Sequence, residues 1–188
     1  MRILFSGFEP FGGMATNPSW EAVQLLPEHI GSAEVHRVRL PVVFGHGAEM
    51  LAAEAARLRP EHIIMVGVAQ GRDAVTPEKL AINYQDARIP DNAGNAPHAQ
   101  PVIPNGPDGI MTRLPAEAMV AAIQAAGLPG RLSLSAGAYV CNDLYYRTIL
   151  RETALGCRCI FIHVPGTEVI SPERAAAALR ICAEVAVG

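Results

Sequence analysis

The sequence predicts a three-layer α/β/α sandwich with a mainly parallel, twisted central sheet. Near-continuous apolar runs alternate with segments of helical spacing along the chain, as in parallel βαβ units whose strands are covered on both faces. With 188 residues, 50% of them hydrophobic, the chain is long enough for one domain with a sizeable core. It contains no linker, repeat or low-complexity tract, so we expect residues 1–188 to form a single domain.

Six apolar runs are predicted strands. They are Arg2–Ser6, Glu34–Val43, His62–Val68, Lys79–Asn83, Leu132–Ser135 and Cys157–Val164. The first run begins at the chain start and is soon broken by Gly7, so we expect a strand there and not a signal peptide.

Five segments between the strands carry helix signals. They are a helix opening at Asn17-Pro18, then Gly47–Leu58, Pro115–Ala126 and Asn142–Leu155, and a last helix from Ser171 nearly to Gly188. Asn17 is a favourable N-cap with proline in the first turn, and Gly127 and Gly156 are typical helix ends. The segment Tyr84–Gly109 lacks such signals and is rich in Pro, Gly, Asn and Asp. A loop of this length is either functional or disordered.

Charge and composition narrow the functional classes. The net charge of -3 gives no reason to expect nucleic acid or an anionic membrane as partner. No apolar run approaches the roughly 20 residues of a membrane helix. Without a secretory signal, we expect a cytoplasmic protein whose four cysteines are reduced.

Cys141 is the main candidate for a reactive group. It lies in Ser135–Asn142, between a predicted strand and a predicted helix. Unpaired N–H groups at a helix start favour a thiolate, which is a nucleophile. Ligands of open α/β sheets bind beyond the carboxyl ends of the strands, and the unusual residues of this chain cluster at those ends.

His163 is a candidate base because it closes the last predicted strand. Strand alternation places it on the same face as Cys157, Cys159 and Phe161. Taken alone, a histidine in an apolar strand is more often a satisfied core residue. A metal site of Cys157, Cys159 and His163 has weak support, because a single Cys-x-Cys lacks a second ligand pair; we expect neither metal nor cofactor.

Three carboxylates compete for the role of orienting the imidazole. Glu78 begins an apolar strand, whereas Asp86 and Asp91 lie in the long loop, and sequence spacing does not choose between them. Arg88, flanked by these two aspartates, is either part of a loop-ordering ion pair or a cation near a developing oxyanion.

The segment Phe8–Gly13 has two aromatic residues three apart, with Pro10 between them and paired glycines after them. It is either a rigid turn that presents the rings of Phe8 and Phe11 to a cleft or a site of simple ring packing. Nucleotide binding is weakly supported, because no Gly-x-Gly-x-x-Gly or Lys-Ser/Thr motif is present.

Together these segments resemble the pyrrolidone-carboxylate peptidase family, also called pyroglutamyl peptidase I. Four blocks in family order carry the resemblance over nearly the whole chain. They are Gly7–Gly13 with Asn17–Ala22, Gly71-Arg72 with Thr76–Asn83 and Asp86–Asn92, Ser135–Gly137 with Tyr139–Asn142, and Phe161–Pro165. The resemblance implies a cysteine exopeptidase that removes N-terminal pyroglutamate from peptides through a thioester.

The same resemblance implies residue roles. Cys141 would be the nucleophile, His163 the base and then acid, and Glu78 the residue that orients the imidazole. The pocket or oxyanion environment would comprise Phe8, Phe11, Asn17, Arg88, Ile89, Tyr139 and Val140. The resemblance also implies a homo-oligomer, often a tetramer.

Several positions depart from the family pattern. Val68-Ala69-Gln70 stands where the family reads Gln-Ala-Gly. Leu134 stands where Asn is common, and Ala138 where Thr is common. After Pro165, the segment Gly166-Thr167-Glu168 also differs from the family sequence. These changes keep open a catalytically impaired or repurposed homologue that binds a small lactam or a peptide end. A nucleoside-processing enzyme is a third, weaker alternative, since no phosphate or ribose motif is apparent.

Overall fold

The computed structural model describes residues 1–188 and contains a six-stranded central sheet. Its strands in spatial order are β2 (His29–Ile30), β3 (Ala33–Leu40), β1 (Arg2–Phe8), β4 (His62–Val68), β8 (Arg158–Val164) and β5 (Thr76–Glu78). The four central strands β3, β1, β4 and β8 are parallel, and the edge strands β2 and β5 are antiparallel to their neighbours. The predicted mainly parallel sheet is confirmed.

Five helices cover the sheet. They are α1 (Pro18–Gln24), α2 (His46–Leu58), α3 (Ala116–Ala125), α4 (Val140–Ala154) and α5 (Pro172–Val187). One buried cluster joins α1, α3 and α5 to one face of the sheet, and a second joins α2 and α4 to the other. The clusters are similar in size, with 26 and 21 buried residues, so both faces are covered and the sandwich has three layers.

The predicted strand Lys79–Asn83 is one residue longer at each end than the observed strand, which lies outside the central sheet. Thr76–Glu78 joins the central sheet as β5, while β6 (Leu80–Ile82) pairs with β7 (Gly109–Met111) in a separate two-stranded antiparallel sheet. The chain changes sheets at Lys79, whose N–H bonds to the carbonyl of Ser133 at 2.7 Å.

The predicted strand Leu132–Ser135 is not a regular strand. Isolated parallel bridges join Gly130 to Val75 and Ser133 to Glu78, so this segment extends the sheet edge beyond β5 without forming a continuous ladder.

The start of α4 also differs from the prediction. The helix begins at Val140, after Tyr139, and not at Asn142. Cys141 therefore lies inside the first turn of the helix. At the other end Gly156 has a φ of 88°, as expected of a glycine that ends a helix.

None of the five helices is both long and apolar enough to cross a membrane.

Candidate active site

The site forms where β4 and β8 end. His163 on β8 is the register partner of Gly67 on β4 and of Thr76 on β5. The first turn of α4 brings the sulfur of Cys141 over Gly67, where a Cβ atom would lie only 3.0 Å from Sγ. The thiol of Cys141 and the imidazole of His163 thus lie at the same level of the sheet, set by the paired residues Gly67 and His163.

Glu78 holds the imidazole of His163. Its Oε1 lies 2.7 Å from His163 Nδ1, and both residues are buried, at 0% and 4% exposure. Since an ionised carboxylate only accepts hydrogen bonds, this contact assigns the proton to Nδ1 and leaves Nε2 as a proton acceptor.

The competing acids lie elsewhere. Asp86 Oδ1 is 2.7 Å from Nδ1 of the exposed His98. Asp91 accepts main-chain N–H bonds from Phe44 and Asn95 at 2.9 and 2.8 Å. Both aspartates order the long loop, so Glu78 is the carboxylate in contact with the imidazole.

Arg72 is a charged member of this group that the sequence patterns did not single out. Its Nη1 lies 2.6 Å from Glu78 Oε1, the same oxygen that faces His163. Nη1 also bonds to Thr76 Oγ1, and Nη2 donates to the carbonyl of Ser135 at 3.0 Å. A single guanidinium therefore joins the acid to the segment that precedes the nucleophile.

Burial sets the resting protonation state. It raises the pKa of the Cys141 thiol to about 12, with the Glu78 carboxylate acting in the same direction and Arg72 and the residue's own N–H opposing them. Burial also lowers the pKa of His163, against the raising effect of Glu78. Burial thus favours the neutral thiol and the neutral imidazole, and for the thiol it opposes the helix-start N–H groups that favour a thiolate.

A cavity of about 190 Å³ opens beside these groups. Its lining residues are mostly apolar: Phe8, Phe11, Asn17, Val42, Val68, Ala69, Arg72, Ala136, Gly137, Tyr139, Val140, Cys141 and His163. No aspartate or glutamate is among them. Larger cavities exist, such as one of about 330 Å³ between α2 and α4, but its lining contains no nucleophile with a base.

Aromatic residues form one wall of the cavity and connect it to the long loop. The ring of Tyr139 lies 6.3 Å from that of Phe11 and 5.3 Å from that of Phe44. The Tyr139 hydroxyl donates to the carbonyl of Pro90 at 3.0 Å, and Asn92 Nδ2 lies 2.9 Å from Glu9 Oε1. The loop is therefore ordered and packs against the site.

Asn17 both lines the cavity and caps α1. Its Oδ1 accepts from the N–H of Ser19 at 3.0 Å, and its Nδ2 donates to the carbonyl of Glu9 at 2.9 Å. These bonds fix the position of Phe8 and Phe11 relative to α1.

Two of the predicted pocket residues are not brought to the cavity. Arg88 and Ile89 are exposed, Ile89 by 51%, and neither lines it. Five others do: Phe8, Phe11, Asn17, Tyr139 and Val140. The binding roles of all seven stay predictions.

Cys157 and Cys159 lie with their sulfurs 4.0 Å apart in the core. No three His, Cys, Asp or Glu side chains are grouped so that they could hold a metal ion, and His163 points to Glu78. These cysteines pack as small apolar residues.

Comparison with known proteins gives one consistent result. A family model described as pyroglutamyl peptidase matches residues 1–187. A pyrrolidone-carboxylate peptidase of Levilactobacillus brevis is 48% identical over 88% of this chain and 82% of its own length. One from Streptococcus pneumoniae is 46% identical over 88% and 78%.

Solved structures agree with this result. Pyroglutamyl peptidase I from Bacillus amyloliquefaciens has a TM-score of 0.93 at 37% identity, covering 98% of this chain and 96% of that one. A mutant pyrrolidone carboxyl peptidase from Pyrococcus furiosus has a TM-score of 0.94 at 35% identity, covering 100% and 98%.

Proposed function

This chain belongs to the pyroglutamyl peptidase family, and we propose that Cys141, His163 and Glu78 perform its chemistry. The protein is a cysteine-type peptidase that removes N-terminal pyroglutamate from peptides. The observation that carries the assignment of residues is the buried Glu78–His163 contact of 2.7 Å beside a half-buried thiol in an apolar cavity.

Acylation begins with the neutral thiol. Cys141 Sγ attacks the pyroglutamyl carbonyl carbon while its proton passes to His163 Nε2. Glu78 stabilises the imidazolium that forms. The tetrahedral intermediate collapses when the amide nitrogen takes the proton from His163, which breaks the C–N bond and leaves a thioester on Cys141.

The start of α4 supplies oxyanion stabilisation. The N–H groups of Val140, Cys141 and Asn142 make no main-chain hydrogen bond to the residues that precede the helix, as expected in a first helical turn. In the proposed mechanism they donate to the oxygen that becomes negative. Water, activated by His163, then hydrolyses the thioester and releases pyroglutamate.

The cavity suits a blocked N-terminus. A pyroglutamyl residue is a lactam without a free amine, so it needs apolar walls and a few hydrogen bonds. A charged α-ammonium group would find no carboxylate among the 13 lining residues. We propose that Phe8, Phe11, Asn17, Tyr139 and Val140 hold the ring, and that Arg88 and Ile89 contribute only if their loop changes conformation.

The test is hydrolysis of a pyroglutamyl arylamide by the purified protein under reducing conditions. We expect release of the arylamine by wild type and none by Cys141→Ala. A matched substrate with N-terminal proline, which replaces the lactam with a charged amine, should not be cleaved. Absence of release by the folded wild type would refute the assignment.

We also propose that residues 1–188 act as one catalytic domain in the cytoplasm and assemble into a homo-oligomer, a tetramer by family resemblance. The continuous sheet from β1 to β8 supports the first of these points. Light scattering after size exclusion would measure the oligomer, and a monomer would contradict it. Nothing in the comparisons supports an impaired or repurposed homologue.

A further inference from the structure

Arg72 occupies a place that the chemistry above does not explain. Its side chain is 26% exposed and borders the cavity, yet its donors point away from the cavity to Glu78, Thr76 and Ser135. An arginine that served only to bind substrate would keep its guanidinium available to the cavity.

The charge of Glu78 is compensated on one oxygen only. Oε1 takes both His163 Nδ1 at 2.7 Å and Arg72 Nη1 at 2.6 Å, while Oε2 is buried without a hydrogen-bond partner. The hydroxyl of Tyr145 bonds to the main-chain carbonyl of Glu78 and not to its carboxylate. Arg72 is therefore the only cationic side chain bonded to this fully buried carboxylate.

The second arm of the guanidinium reaches the turn before the nucleophile. Nη2 donates to the carbonyl of Ser135, whose Oγ in turn accepts the N–H of Gly137 at 3.1 Å. A planar guanidinium can hold a carboxylate and a carbonyl at a fixed separation, which a single ammonium cannot do.

We propose that Arg72 is a positioning residue for the peptidase reaction, which compensates Glu78 and locks the acid to the Ser135 turn that carries Cys141. The proposal rests on the function proposed above. Arg72 acts through Glu78 and through the turn, and it forms no bond with the substrate.

Loss of Arg72 has a predictable sign at both reacting groups. Its positive charge lowers the pKa of His163 and also that of Cys141. In Arg72→Gln both pKa values rise, so the acidic limb of kcat/KM moves to higher pH and the thiolate fraction at a given pH falls. A role in packing alone would change neither.

The variants are Arg72→Gln, Arg72→Lys and the matched control Arg131→Gln. Arg131 lies at the same sheet edge, but it pairs with the exposed Asp73 at 2.7 Å. We expect Arg72→Gln to lower kcat/KM by at least about tenfold through loss of positioning. In Arg72→Lys, the acidic limb of the kcat/KM profile should return to its wild-type pH, but kcat should stay below the wild-type value. Arg131→Gln should have the wild-type kcat and the wild-type pH profile.

A second measurement does not depend on turnover. Iodoacetamide alkylation of Cys141, followed by mass spectrometry across pH, should be slower in Arg72→Gln at each pH and recover in Arg72→Lys. If wild type fails to cleave the arylamide, the proposed function is refuted and alkylation still decides the role of Arg72. The proposal would be overturned if Arg72→Gln had the wild-type alkylation rate and the wild-type acidic limb of kcat/KM. It would also be overturned if Arg131→Gln changed both quantities as much as Arg72→Gln does. Should Arg72→Gln not fold, a wild-type kcat in Arg72→Lys would overturn it.

Discussion

Replacing Gly67 with alanine tests how closely the sulfur of Cys141 packs against the sheet. The new Cβ would lie 3.0 Å from Sγ and 2.8 Å from Cζ of Phe161. Ordinary contacts begin at 3.4 Å, so the sulfur would have to move by 0.4 Å and the ring by 0.6 Å. The backbone of Gly67 does not have a positive φ, so alanine brings no backbone strain of its own.

The size of the effect follows from these displacements. A misplacement of 1 Å costs on the order of 10²-fold in rate, so about half of it predicts roughly a tenfold loss of kcat, about 1.4 kcal/mol. Overpacking should also destabilise the fold by about 1–3 kcal/mol, which lowers Tm by roughly 2–12 °C in a chain of this size. The assay is arylamide turnover beside thermal unfolding.

Gly130→Ala is the matched control. Its Cβ would lie 2.8 Å from Cγ2 of Ile123 on α3, a similar clash that does not touch the cavity. We expect a comparable fall in Tm with kcat close to the wild-type value. If Gly67→Ala keeps full activity while its Tm falls as in the control, the sulfur does not depend on the space over Gly67 and the reasoning fails.

Three further outcomes are expected. Glu78→Gln should lower kcat by on the order of 10⁴-fold, as the equivalent change does in a serine–histidine–aspartate triad; unchanged turnover in the folded variant would assign another acid to His163. Burial lowers the folded-state pKa of both His62 and His163 below 6.5, so the unfolded state binds more protons and Tm should fall as pH drops below about 6.5. His62→Asn should weaken this dependence, and a Tm that is flat from about pH 7.5 to about pH 5.5 would contradict it. EDTA should leave arylamide turnover unchanged; loss of activity that zinc restores would count against a metal-free thiol mechanism.

The sequence predicted most of the fold because the central strands are strongly apolar. His62–Val68 is a strand with the predicted bounds, since a buried parallel strand reads as a continuous apolar run. Apolar periodicity does not show which sheet a strand joins. The predicted strand Lys79–Asn83 contains β6, which pairs with β7, whereas Thr76–Glu78 just before it joins the central sheet as β5.

The site was predictable where a rule or a motif applied. Cys141 and His163 follow the expectation that function lies at the carboxyl ends of strands, and the family motif added Glu78. Arg72 was missed because its role depends on β5 pairing antiparallel to β8, which places Glu78 opposite Phe161. A glycine-arginine pair four residues before Thr76 was the only available signal. The two aspartates that flank Arg88 in the sequence did not show whether its side chain lines the cavity or is exposed.

The turn before Cys141 departs from the family pattern at Leu134 and Ala138, yet its support does not pass through those side chains. Leu134 is 64% exposed, and Ala138 offers only its main-chain carbonyl, which accepts the N–H of Asp86 at 2.9 Å. The fixed point is the carbonyl of Ser135, held by Arg72.

Because these contacts use the main chain, a change of side chain at positions 134 and 138 removes none of them. The departure that lines the cavity is Val68; its neighbour Ala69 matches the family pattern. An aliphatic side chain at position 68 offers no hydrogen bond to a lactam, so any change in substrate preference relative to the family should come from this wall and not from the nucleophile turn.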